Sequence, residues 1–490
     1  MQRARPVASS FALSAMALAG LLAGCATAPA PEAVIARAES AMGGGAVKTL
    51  VYSARGSGGT FGQAYEPTMA WPGLNYTTFT RAVDYDAAYL REEFARSRSE
   101  PTGGGAVPLM GQGDQRSVAA VRGNVAWNGA GAAAAGSPVA REARQHDLWT
   151  TPHGVLKAAR QHGAVVGSAS DAGVRYTTLA VKVPGVMAAT AWLDDAGLVS
   201  RIDSTMPHPV TGDTSVTTLF TDYRDHGGVK FPQRIRQTAG GYPVFDLQVT
   251  DVKPNAAVDT AVPDAASNHA ERVASTPLAP GLWFLGGGSH HSVLVEMRDH
   301  LVIVESPLYD GRAEAVFAEA KRIVPGKPIR AVINSHHHFD HAGGLRAAVA
   351  EGATVVASAR AKPYFERVFA NPNSVAPDRL ARSGRRSEIV GVSGKHVISD
   401  GARTIEVHEM QGSVHAQGFL MVWLPAEKVL VQADAYTPGA PGAAPPPVPN
   451  ANNVNLVQNI ERLGLPVERI APLHGRVVPL AELHAAIGRR

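Results

Sequence analysis

Over much of its first half the chain alternates apolar and polar positions with a period of two. Runs such as Tyr76-Thr77-Thr78-Phe79-Thr80 and residues 118–127, within a Gly-, Thr- and Tyr-rich stretch over 50–128, predict antiparallel strands. A helical period replaces the alternation at about 138–162, where Trp149, Val155, Leu156 and Ala159 form one apolar face. Pro152 and Gly154 predict a break in it. Strands are then expected at 176–183, 188–193, 198–204, 215–223 and 242–252, with Asp194-Asp195-Ala196-Gly197 as a hairpin turn. Residues 254–276, poor in large apolar side chains, predict a linker. Beyond it come strands at 282–285, 293–296 and 301–305, a helix at 311–323, strands at 329–334 and 354–358, and continued alternation to a last helix at 480–487. The expected class is α+β: a mostly antiparallel β domain (46–260), then a second domain (275–490) whose order fits two sheets between helical layers.

Length and composition agree with two or three domains, since 490 residues at 45% hydrophobic content suffice for separate cores. The N-terminus is set apart. Arg3 and Arg5 precede an apolar run over 11–22, too short to span a membrane as a mature helix, which ends Leu22-Ala23-Gly24-Cys25 and reads as an export signal. Those four residues resemble the lipobox of a bacterial lipoprotein, which implies cleavage after residue 24 and lipidation of Cys25. Cys25 is the only cysteine, so no intramolecular disulfide forms; an ordinary signal peptide with a stray cysteine is the alternative. Acyl chains at about 0.8 kcal/mol per buried methylene would hold the protein at a membrane. Ala26, where an aspartate would be the retention signal, implies by the same resemblance an outer-membrane lipoprotein facing the periplasm, with 25–45 as a tether. The net charge of +4 becomes +2 without Arg3 and Arg5 (4 − 2), which is no footprint for nucleic acid.

The informative chemistry lies in the last third: Ser335-His336-His337-His338-Phe339-Asp340-His341, then His415, Asp434 and His474. In an extended segment His336 and His338 point the same way and reach one ion, while His337 faces elsewhere. Asp340 and His341 stand where a helix begins and can serve a second ion. Imidazole and carboxylate donors suit zinc, with manganese or iron possible. Asp434 and His474 end apolar runs and His415 precedes the strand expected at 419–424, so each candidate falls at a strand terminus, where a rigid backbone presents a side chain to a cleft.

This block resembles the signature of the metallo-β-lactamase superfamily, over roughly residues 275–490. The resemblance implies an αββα sandwich and two ions: His336, His338 and His415 on one, Asp340, His341 and His474 on the other, Asp434 bridging. It implies a hydrolase in which ions about 3.5–4 Å apart share a water and lower its pKa from 15.7 towards 7. Asp340 would orient the resulting hydroxide and pass a proton to the leaving group. With Cys25 at the anchor, the β-lactamases that use a cysteine ligand are excluded, and the bridging aspartate favours an ester, lactone, thioester or related bond. A cysteine-free β-lactamase, a mononuclear iron dioxygenase of thiols and a lipid-binding envelope lipoprotein remain as alternatives.

His290 and His291 after Gly286-Gly287-Gly288-Ser289, and Tyr436 just beyond Asp434, are candidate contacts for a small-molecule substrate. The six prolines of 438–449 predict a stiff loop beside the site. The middle region weakly resembles the curved sheets of periplasmic lipoprotein carriers, or is a spacer or dimerisation platform. His146, His153, His162, His208 and His226 lack ligand spacing and are expected at the surface. The oligomeric state is left open.

Overall fold

The computed structural model describes residues 30–43, 45–99, 103–105 and 113–489; Cys25 and the export signal lie outside them. The first half is one antiparallel sheet of thirteen strands. From Thr49–Gly59 the chain meanders outward to Ala135–Gly136, crosses by the helices Arg141–Trp149 and Pro152–His162, and meanders back to Tyr242–Pro254, which pairs with the first strand. The two helices lie against the sheet, burying Leu148, Trp149, Val155 and Leu156 in its core. The predicted break is real. Thr151 caps the second helix, its hydroxyl accepting from Gly154 N at 3.0 Å, and Pro152 occupies the first turn, where no N–H is needed.

Three expectations need correction. Residues of the expected tether form the helix Pro31–Ala41, because Val34, Ile35 and Ala38 recur at helical spacing and bury in the sheet's core. His146 and His153 are buried, not surface residues: His146 Nε2 lies 2.8 Å from Ser204 Oγ, and His153 stacks on Phe231. His208 is half-buried against Phe61 and Phe339. The expected linker carries Ala266 into a small cluster with Tyr89 and Trp127, and Ala274–Ala279 is a strand that its composition did not reveal.

The second half holds a seven-stranded and a six-stranded sheet. Strands of the first sheet read as unbroken apolar runs because both faces are covered. Val293, Val295, Val302 and Val304 meet the other sheet's Val407, Val422 and Val431, while Leu294, Leu301 and Ile303 meet Val316, Phe317 and Ala320 of the helix Asp310–Ile323. With Ala451–Leu463 and Leu480–Ala486 packed on the second sheet, the order is helix, sheet, sheet, helix. Among the described residues no helix is long and apolar enough to cross a membrane.

Contacts between the two halves include the following. The turn after His208 binds the loop beyond the helix Lys362–Ala370, with Asp213 accepting from Ser374 N at 2.9 Å and Asn371 Nδ2 donating to Thr211 O at 3.0 Å. The loop after Thr49–Gly59 reaches the histidine-rich segment, where the Phe339 ring packs against Phe61 (5.2 Å), Trp71 (5.8 Å) and His208 (4.5 Å).

Candidate metal centre

All seven expected ligands converge at one edge of the sandwich, in the segments that join its strands. The strand Ile329–Ile333 leads to His336 and His338, the helix Phe339–Ala342 carries Asp340 and His341, and Val429–Gln432 and Arg469–Pro472 end two residues before Asp434 and His474. His415 lies in the loop before Leu420–Leu424. Two groups result, each with donor atoms within 4.8 Å of one another: His336, His338, His415 and Asp434, and His290, Asp340, His341 and His474.

The hydrogen bonds around these side chains test whether they suit a metal. Ser335 Oγ donates to Glu305 Oε2 at 2.5 Å, so it accepts from His336 Nδ1 at 2.9 Å, which leaves the Nε2 of His336 as a lone pair. His338 Nε2 donates to Ala64 O at 2.9 Å, leaving Nδ1 as a lone pair, and His474 Nδ1 donates to Ser289 O at 2.8 Å, leaving Nε2 so. The two inner nitrogens of His336 and His338 are 3.0 Å apart, and His415 Nε2 is 3.2 and 3.0 Å from them. Nitrogens on one tetrahedral zinc at about 2.0–2.1 Å stand about 3.3 Å apart. Lone pairs facing one another at that spacing suit a cation between them, so the donor set fits a divalent metal.

Asp434 stands between the groups. Its Oδ2 is 3.2, 2.9 and 3.0 Å from His336, His415 and His341, and its Oδ1 is 2.9 Å from His474. Burial holds the imidazoles of His336 and His338 well below the usual histidine range, keeping them neutral as ligands must be. Burial also opposes charge on His341, but Asp434 and Asp340 outweigh it and hold that imidazole well above its usual value. A metal ion therefore competes with the His341 proton, and its affinity weakens as the pH falls. Burial would raise both aspartates, yet His341 above all holds them well below the carboxylate range.

Glu305, which sequence reasoning passed over as the end of a strand, lies fully buried beneath the site. It accepts from Asn334 Nδ2 at 2.8 Å and from Ser335 Oγ, and lies 3.3 Å from His341 Nδ1. The available signal was a carboxylate directly after the fully apolar run Leu301–Val304.

The three candidate substrate contacts separate. His290 belongs with the second group, its Nε2 3.2 Å from Asp340 Oδ2 and its backbone carbonyl held by the buried Arg312. His290→Ala is expected to weaken retention of a second ion about 10–100-fold with the first unaffected. Chelator competition checks this, and equal retention in both proteins would refute it. His291 turns away: Nδ1 accepts from Gly287 N, the ring packs on Phe284, and burial and the Arg312 charge lower its pKa to about 4. Tyr436 is buried in the sandwich core with its backbone clamped by Gln432, so it is first a packing residue, although it also borders a cleft.

That cleft, about 1390 Å³, runs between Tyr65 and Gly103–Gly104 of the first half and the proline run with Asn450–Asn453 of the second, beside Ser413 and Val414. Val414 and Val448 expose 47% and 79% of their surface, giving it apolar walls. Its charged lining residues among those described are engaged: Arg98 donates to Gly105 O at 2.6 Å, and Glu482 pairs with Arg476 at 2.5 Å.

A family model described as the metallo-beta-lactamase superfamily matches residues 285–474. Similar solved structures include a metallo-beta-lactamase from Pontibacter korlensis (16% identity, TM-score 0.35, 44% of this chain and 98% of its own). Another is that from Erythrobacter litoralis (18%, TM-score 0.33, 44% and 95%). No curated protein matches the chain.

Proposed function

We propose that residues 285–474, which match the family model of the metallo-beta-lactamase superfamily, form a two-metal hydrolase of esters, lactones, thioesters or related bonds, acting on uncharged small molecules. The observation that supports it most is the pair of donor groups joined at Asp434, with lone pairs turned inward. Zinc is the expected ion, with manganese or iron as substitutes. Bound there, two such ions supply Lewis acidity and a water acidified towards neutrality. Asp434 sets the separation of the two groups. Asp340 keeps a third of its side chain exposed, the most open of the ligands, which suits it to orient the attacking water and return a proton to the leaving group. The apolar cleft suits the acyl or ring portion of an uncharged substrate, whereas a phosphodiester or sulfate ester finds no free cation among the described lining residues.

A lipid-carrying role has less support, because the cavity between the first sheet and its two helices is about 20 Å³, too small for an acyl chain. The proposal includes export and lipidation at Cys25. Five residues then separate the anchor from the helix Pro31–Ala41, a reach of at most about 18 Å, so the fold would sit close to the membrane. Cys25→Ser is expected to move the protein from the membrane fraction to the soluble one; unchanged fractionation would remove the anchor.

The functional test is metal analysis of signal-free protein with a substrate screen. Two ions per chain and turnover of lactones, esters or thioesters with apolar groups support the reading. One iron without hydrolysis, or turnover confined to phosphodiesters and sulfate esters, overturns it.

A further inference from the structure

The loop that follows the first strand of the N-terminal sheet, residues 60–72, enters the metal centre itself. Gln63 Nε2 donates to Asp340 Oδ1 at 2.8 Å. The carbonyl of Ala64 accepts from His337 Nε2 at 2.8 Å and from His338 Nε2 at 2.9 Å, and that of Gly62 accepts from Phe339 N at 3.2 Å. Tyr65 closes the other side, its carbonyl accepting from Gln417 N at 2.9 Å and its hydroxyl donating to Ser413 O at 3.0 Å, on either flank of His415. Four consecutive residues thus grip the two segments that carry the histidines of the first group.

The fit has no slack. Gly62 has φ +82°, and a Cβ there would lie 2.1 Å from the Phe339 ring; a Cβ on Gly105 would lie 1.8 Å from Gln63 Oε1 and 3.0 Å from His338 Cε1. Glycine is required at Gly62 by backbone conformation and close approach, and a side chain at Gly105 would displace the Gln63 amide.

We infer that the N-terminal sheet domain supplies part of the metal centre, with Gln63 as the positioning residue for Asp340 and the Ala64 carbonyl as that for His338. A carboxylate whose Oδ1 already accepts from an amide turns a single oxygen, Oδ2, towards His341 and His290, and so enters the second group as a one-oxygen ligand. The Ala64 carbonyl fixes the Nε2–H tautomer of His338 and thereby which nitrogen faces the ion. These partners lie about 275 residues from the ligands they orient, so the sheet is neither a spacer nor a separate module: the site is incomplete without its loop.

This inference rests on the two-metal reading, and its test distinguishes the failure of each. In the full signal-free chain, Gln63→Met keeps length and shape but removes the donor. The expected result is an unchanged unfolding temperature and first-ion affinity, second-ion affinity lowered about 10–100-fold by chelator competition, and an altered absorption spectrum of the cobalt-substituted protein. The kcat falls with little change in KM. Gly62→Ala, which pushes the loop off Phe339, is expected to weaken the first ion as well. A Gln63→Met protein that matches wild type in second-ion affinity and cobalt spectrum overturns the inference alone. A wild-type chain that binds only one ion overturns it together with the two-metal reading.

Discussion

Asp434→Ala is expected to leave fewer than two ions per chain and to lower turnover by at least about 10³-fold, equivalent to about 4 kcal/mol of barrier. The reason lies in its position: Asp434 is the one side chain whose oxygens approach ligands of both groups, at 2.9–3.2 Å. Removing it takes away a donor from each and the negative charge that offsets four imidazoles. Burial of the surrounding histidines makes substitution by water poor, since His336 and His341 have no exposed side-chain surface. Asp434→Asn keeps the shape and loses the charge, so it separates geometry from electrostatics. Metal analysis and initial rates on the same preparations decide the matter; two ions and activity within tenfold of wild type would mean that the bridge is elsewhere.

Glu305→Ala is expected to destabilise the protein and loosen the metal centre together. Its carboxylate accepts from Asn334 and Ser335 and braces His341, while Ser335 in turn orients His336. One buried acid therefore holds the tautomers of a ligand from each group. Removing one partner of such a buried network costs about 3–5 kcal/mol, because the remaining donors are left without acceptors. For a domain of about 200 residues this is a fall of about 6–20 °C in Tm. Glu305 also has φ +71°, a conformation uncommon outside glycine, held by its N–H donating to Ile333 O at 2.8 Å. Scanning calorimetry with and without chelator reads both effects. A Tm within a degree of wild type, with metal retention unchanged, would reduce Glu305 to a bystander.

Much of the second half was legible because its signals are local. Period-two spacing put His336 and His338 on one side, and a helix start two residues later turned Asp340 and His341 towards a second position. The Pro152 break and its Thr151 cap were legible for the same reason, since capping involves residues three apart. The misreadings came from composition used in place of packing. Residues 31–41 looked like a tether through their Ala and Pro, yet Val34, Ile35 and Ala38 find a core supplied by distant strands. His146 and His153 looked like surface histidines until the sheet closed over them.

By itself the sequence determined the strand-rich character of the first half, the alternation of strands and helices in the second, and which seven side chains gather at the strand ends, because those depend on backbone periodicity and short spacing. Only the tertiary structure decided that Gln63 and Ala64 hydrogen-bond to Asp340 and His338, that Glu305 lies buried beneath them, that His290 joins the second group and that His291 and Tyr436 turn away from it. Each of those outcomes is set by hydrogen-bond and packing geometry between elements distant along the chain. Such contacts leave no periodic trace in the residues that make them, because they exist only once independent cores have fixed the loops against one another.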